Sequence, residues 1–236
     1  MTSIATLFIG GIRPLPPDNR PTGIFKSEIV VPAWVGKEGL IGDAQADRRV
    51  HGGPDKALHQ YPVAHYARLA TAFPEARDQL IRGSIGENLS VPGCDESNIC
   101  IGDTFRLGDS VIQVSQPRSP CWKIDHRYRI EGMAQFIDSE GITGWYFRVL
   151  EEGSVEPGCS FELIDRMTPG VTVQALLATW HQHRPNPHQL ERLAATPGLS
   201  ENWIKKLLDR SARLKTMNDA SPNDRERLHP PSDKTS

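Results

Sequence analysis

The chain has 236 residues, 38% of them hydrophobic, and its 27 Lys and Arg against 29 Asp and Glu leave a net charge of -2. That length accommodates one large domain with a small appendage, and a near-neutral balance excludes the global electrostatic footprint of a nucleic-acid or anionic-membrane binder. No apolar run reaches bilayer length, Met1 to Gly11 lacks a secretory pattern, and Cys94, Cys100, Cys121 and Cys159 form no C-x-x-C pair. Zinc ribbons and ferredoxin-type clusters are therefore excluded, and free thiols in a cytoplasmic protein are expected.

In chain order, Thr6 to Ile12 and Ile24 to Val31 read as short strands, the second rich in β-branched residues. Gly36, Gly39, Gly42, Gly52 and Gly53 then mark loops. Pro62 to Ala72 is predicted helical, with Val63, Tyr66, Leu69 and Ala70 at helical spacing and Pro74 limiting it. Strand-like pieces follow at 88–91, 104–107 and 110–115, with Leu107-Gly108-Asp109-Ser110 as a tight hairpin. Helices are expected around Gly132 to Ser139 and from Trp145 to Glu151, then a strand from Ser160 to Ile164. Many short strands with close turns predict a mainly β, α+β fold, a sandwich or barrel with a few helices rather than a doubly wound sheet.

After Pro169 the pattern becomes helical. Thr172 is the expected N-cap of one helix, His188 to Ala195 forms a second, and Ser200 caps a third with Leu199 and Ile204 as its hydrophobic staple. The expected organisation is a β-rich domain over 1–168, a small three-helix domain over 169–214, and a disordered polar tail over 215–236.

Three segments carry chemistry. The stretch 39–57 holds Asp43, His51, Gly52, Gly53 and Lys56 among few core-forming side chains. Consecutive glycines let backbone N–H groups approach an anion, and Lys56 adds a charge-assisted contact to a phosphate. The same residues also suit a solvated loop, and Asp43, Asp47 and His51 a metal site. In Gly86-Glu87-Asn88, Asn88 is either a turn brace or a ligand contact. In Pro117-Arg118-Ser119-Pro120-Cys121-Trp122-Lys123, two prolines stiffen a turn that presents Cys121 between Arg118 and Lys123. Neighbouring cations favour thiolate, the form that binds soft metals and attacks electrophiles. The other three cysteines read as small hydrophobes, and Trp145 and Tyr146 as core or pocket wall.

Taken in order, Gly39-Leu40-Ile41-Gly42-Asp43, His51 through Ala57, His59-Gln60-Tyr61-Pro62, Gly86-Glu87-Asn88-Leu89, Gly102-Asp103, the Gln116-to-Cys121 turn and Gly144-Trp145-Tyr146 resemble the MOSC family. The likeness is to its stand-alone YiiM-type branch and covers roughly residues 5–214, the three-helix piece included. The resemblance implies a β-barrel-like fold and a molybdenum cofactor (molybdopterin), with Cys121 as the protein thiolate on molybdenum. The cofactor's phosphate suits the polar and Gly-rich groups Asp43, His51, Gly52, Gly53, Lys56, Asn88, Arg118 and Lys123.

It further implies a reductase of N-hydroxylated compounds, hydroxylaminopurines among them. Lacking an iron–sulfur spacing or a G-x-G-x-x-G after a strand, the chain needs a separate electron-donor reductase. A homodimer is one of the assemblies left open. One departure from the family pattern is Cys159 after Gly158, where many members carry an acidic residue. Two other functions fit the same residues: a sulfur carrier using a Cys121 persulfide, and a non-catalytic cofactor-binding module.

Overall fold

The computed structural model describes residues 2–47 and 52–219. Its strands are β1 Thr2–Ile4, β2 Thr6–Ile9, β3 Arg13–Leu15, β4 Arg20–Thr22, β5 Ser27–Glu28, β6 Ala33–Gly36, β7 Gly39–Leu40, β8 Leu58–Gln60, β9 Leu89–Ser90, β10 Thr104–Leu107, β11 Ser110–Pro117, β12 Trp145–Glu151, β13 Gly153–Val155 and β14 Ser160–Asp165. The helices are α1 Val63–Ala72, α2 Lys123–Tyr128, α3 Met133–Ser139, α4 Val173–His181, α5 Pro187–Ala194 and α6 Glu201–Asp219.

Nine strands form one curled sheet in the order β1-β14-β10-β11-β12-β8-β9-β2-β5. Its pairings are antiparallel except for β8 against β9, where Gln60 lies beside Leu89. A smaller sheet, β13-β6-β7, and the β3-β4 ribbon complete a mainly β, α+β fold. The β10-β11 hairpin pairs Leu107 with Ser110 across a two-residue turn, where Gly108 adopts φ 55°.

All eight residues of β11 are buried, since helices and core cover both of its faces. The segment Trp145–Glu151, expected to be helical, is instead strand β12 between β11 and β8. Trp, Tyr, Phe and Val suit a pleated, half-buried surface, and two pairing partners decide the matter. Ile24 to Val31, expected as one strand, pairs only at Ser27–Glu28, and Val30 and Val31 project into solvent.

The caps of the helical appendage follow from side-chain chemistry. Thr172 Oγ1 accepts from the Ala175 amide at 3.0 Å, Asn186 Oδ1 from His188 at 2.9 Å, and Ser200 Oγ from Trp203 at 3.3 Å. Val173, Leu176, Leu190, Trp203 and Leu207 join the same apolar core as Leu7, Leu58, Val114 and Phe147. The last helix runs to Asp219, past the expected end at 214, and within that extension Lys215 Nζ donates to Glu191 of α5 at 2.5 Å. A second core, built from Leu15, Tyr61, Tyr66, Leu69, Ile124 and Met133, lies under α1, α2 and α3.

Candidate functional site

The N-terminal half of β12, the centre of β8, the end of β11 and the 83–88 loop converge on one pocket of about 590 Å³, its open mouth included. Arg118 follows β11 directly, and its amide donates to the Gly144 carbonyl at 3.0 Å, fixing the stiff turn to the start of β12. Three residues on, the half-buried Cys121 lines the pocket beside His59, Tyr146 and Lys26. The Cys121 carbonyl accepts from the Ile124 amide at 3.0 Å, at the opening of α2.

Asp43 organises one wall from behind. Its Oδ1 accepts from the Gly10 amide at 2.9 Å, and its Oδ2 from Lys26 Nζ at 2.7 Å and Asn88 Nδ2 at 3.0 Å. These contacts are all donors, and through them the carboxylate braces the wall; of the other residues considered with it for a metal site, His51 lies outside the described residues. Asn88 also gives Nδ2 to the Phe8 carbonyl at 3.2 Å and takes the His59 amide on Oδ1 at 3.1 Å. It is therefore a turn brace that also lines the pocket. Burial lowers the Lys26 pKa, while its pairing with Asp43 works in the opposite direction.

The 83–88 loop is held by Glu87, which is fully buried. Its carboxylate accepts from Gly83 at 2.6 Å, from Ile85 at 3.2 Å and from the Tyr66 hydroxyl. Burial raises the Glu87 pKa, against the pull of those donors. Tyr66→Phe deletes one donor to a buried carboxylate and is expected to lower unfolding free energy by about 1–3 kcal/mol, read from urea denaturation.

The pocket is electropositive. Lys26, Lys56, Arg118 and Lys123 line it, and no carboxylate does so among the described residues. Arg118 is 7% exposed; Nη2 reaches the Ile85 carbonyl at 3.4 Å, and Nη1 has no partner. A buried guanidinium nitrogen with nothing to donate to is costly unless an acceptor arrives. Lys56, on the 3₁₀ turn Pro54–Lys56, has its pKa lowered by burial and then by Lys206 of α6, so the helical appendage adds charge at this rim. Lys123 Nζ donates to the Pro21 carbonyl at 3.4 Å and lies over the Trp122 ring.

Of the residues singled out from sequence, Lys56, Asn88, Arg118, Cys121 and Lys123 thus share one cavity. Gly52 and Gly53 lie on the approach to the 3₁₀ turn, outside the lining, with Gly53 at φ 96°. His51 lies outside the described residues. Asp125 accepts from the Gly132 and Ala134 amides and so caps α3. Lys26 and His59 were not recognised as site residues. Nothing in the local sequence marks Lys26, while His59 stands in a matching motif and carried its own signal.

Residues 47–162 match the MOSC domain. Over 194 residues the chain is 38% identical to Protein YiiM of Escherichia coli (strain K12), covering 82% of this chain and 86% of that protein. The chain is a YiiM-type member of the MOSC family. The crystal structure of YiiM from Escherichia coli superposes with a TM-score of 0.77 at 32% identity, covering 95% of this MOSC protein and 98% of that chain. A protein of Gibberella moniliformis (strain M3125 / FGSC 7600) named "Reductase" is 34% identical over 149 residues, which are 63% of this chain and 26% of that protein.

Among the described residues no helix is long and apolar enough to cross a membrane. Nor does any group of three or more His, Cys, Asp or Glu there form a metal site. A single thiol in a cationic pocket suits a metal that arrives with its other ligands already attached to an anionic carrier. On that chemistry the residues present fit a molybdenum cofactor.

Proposed function

We propose that this MOSC protein is a molybdenum-cofactor-dependent reductase of N-hydroxylated compounds, hydroxylaminopurine bases among them. The observation that carries the reading is the half-buried Cys121 thiol sharing a pocket with the partnerless Nη1 of Arg118. Cys121 would hold the metal, and Arg118, Lys26, Lys56 and Lys123 would receive the cofactor's phosphate. When bound, the cofactor supplies oxygen-atom removal, R–NHOH + 2 e⁻ + 2 H⁺ giving R–NH₂ + H₂O. Electrons come from a separate reductase.

The chain's own groups do the rest. The Tyr146 and His59 rings, 5.3 Å apart, wall one side of the cavity and limit water around the reacting nitrogen. The Pro-bracketed turn holds Cys121 in place, and the Asp43–Asn88 brace keeps the facing wall rigid. The family membership and the fungal relative's printed name support an oxidoreductase over a passive carrier.

The test is conversion of 6-hydroxylaminopurine to adenine by protein from a molybdenum-replete host, with a suitable donor and chromatographic readout. Turnover that needs the donor is expected. Retained cofactor without turnover favours a binding module, and sulfane sulfur on Cys121 without molybdenum favours a sulfur carrier. Arg118→Ala removes a charge-assisted contact of about 1.5–3 kcal/mol, so cofactor affinity should fall about 10- to 100-fold, checked by retained pterin after dialysis.

A further inference from the structure

We infer that the face formed by α2 and the β3-β4 ribbon, with the exposed Trp122 at its centre, docks an acidic electron-transfer protein. The partner's role in reduction rests on the function proposed above; the docking itself does not.

Trp122 follows Cys121 directly in the chain, yet its side chain is 39% exposed. Cationic groups surround the ring: the Arg20 guanidinium lies 5.2 Å from its centroid and Lys123 Nζ 5.9 Å, while the His126 ring meets it edge-on at 4.6 Å. These contacts hold the indole in place and leave its outer surface open. Tryptophan and arginine are the residues that most often anchor protein interfaces.

His126 also lines a second cavity, of about 630 Å³ with its open mouth included. Arg127 and Arg129 add to the charge there, and Leu15, Pro16 and Phe25 form an apolar wall. No carboxylate lines it among the described residues. An acidic side chain fits such a socket, its carboxylate on the guanidinium groups and its stem on the apolar wall. The cavity shares a wall with the Cys121 pocket. Ile24 lines the pocket, its neighbour Phe25 lines the cavity, and Arg127 Nη1 donates to the Ile24 carbonyl at 2.9 Å.

Residues 13–25 and 122–131 build this face. They hold Arg13, Arg20, Lys123, Arg127 and Arg129 against Asp18, Asp125 and Glu131, in a chain whose net charge is -2. Asp125 is spent on the Gly132 and Ala134 amides. Asp18 meets Arg20 only at 3.8 Å with both side chains exposed, a pairing too weak to withhold Arg20 from a partner. The local excess of positive charge steers an acidic partner to this face. Docked here, the partner lies against the turn that carries Cys121. It gives up two electrons per turnover, and with two protons these break the N–O bond of R–NHOH and release R–NH₂ and water.

The test uses the full chain, with flavodoxin, an acidic FMN protein, as the probe. Binding of oxidised flavodoxin, followed by calorimetry, should weaken as salt rises. Arg20→Glu combined with Arg129→Glu should weaken it about 10-fold or more, and Trp122→Ala about as much. Lys205→Glu, an exposed reversal on α6, should leave it unchanged. Melting temperatures should hold in all of these variants, because each substituted side chain is exposed. No binding by the wild-type chain, or an equal loss from the Lys205 reversal, overturns the docking face.

In active holoenzyme, the Arg20, Arg129 double reversal should raise KM for reduced flavodoxin and leave turnover driven by reduced methyl viologen unchanged. Flavodoxin bound at this face, with no turnover from either reductant, removes the reductase reading and leaves the docking standing. A loss of viologen-driven turnover in Trp122→Ala would assign the indole to the substrate and overturn its place in the docking face.

Discussion

Replacing Asp43 with alanine is expected to lower the unfolding free energy by about 3–5 kcal/mol, the usual cost of removing one partner from a buried ion pair. The Lys26 and Asp43 side chains are 7% and 4% exposed, and their charges meet at 2.7 Å. Without the carboxylate, the ammonium loses its counter-charge, and the Gly10 amide and Asn88 Nδ2 each lose an acceptor. Burial already lowers the Lys26 pKa, and removing Asp43 lowers it further.

A lysine with a depressed folded-state pKa binds fewer protons folded than unfolded, so stability rises with pH between the two pKa values. The deficit of Asp43→Ala should therefore shrink as pH climbs towards the ordinary lysine value of 10.5. Urea denaturation at pH 7 and pH 9.5 reads both effects. The double variant Lys26→Met, Asp43→Ala should recover most of the loss, since it leaves no unpaired charge. A deficit under about 1 kcal/mol, or one that grows with pH, would contradict the brace assigned to Asp43.

Cys121→Ser should reduce metal retention by about 70- to 900-fold. A thiolate contributes about 2.5–4 kcal/mol when the 10–16 kcal/mol of a four-ligand structural site is shared among its ligands. The fold should be preserved, because the Cys121 carbonyl, rather than its sulfur, makes the bond to Ile124 that opens α2. Elemental analysis and thermal melting separate the two effects. Full molybdenum in Cys121→Ser would move the metal to another ligand, and a collapsed melting temperature would give the thiol a packing role instead.

The sequence carried the architecture where local chemistry and tertiary context agree. The caps at Thr172 and Ser200 and the Gly108-Asp109 turn were legible because each is decided within four residues. Strand β12 was misread as helix because its neighbours β8 and β11 are distant in the chain, and pairing rather than local preference fixed it. Cys121, Arg118 and Lys123 share one stiff segment, so their proximity could be read directly.

Lys26 could not be found this way. It is a lone lysine whose meaning comes from Asp43, 17 residues away, and from the burial of both side chains in the folded chain. Asp43 shows the converse. Its Gly-rich surroundings suggested a ligand contact, yet it lies outside the pocket's lining and accepts from Gly10, Lys26 and Asn88. His59 was visible in its motif but not as a site residue, because its significance lies in the pocket it lines, which no sequence displays.

The occupant proposed for the pocket between Cys121 and Arg118 is a molybdenum cofactor. That assignment is tested most directly by measuring molybdenum, pterin and sulfane sulfur together in wild-type protein from a molybdenum-replete host. Near one-to-one molybdenum and pterin per chain, without sulfane sulfur on Cys121, is the expected result. Sulfane sulfur on Cys121 with neither molybdenum nor pterin would contradict it.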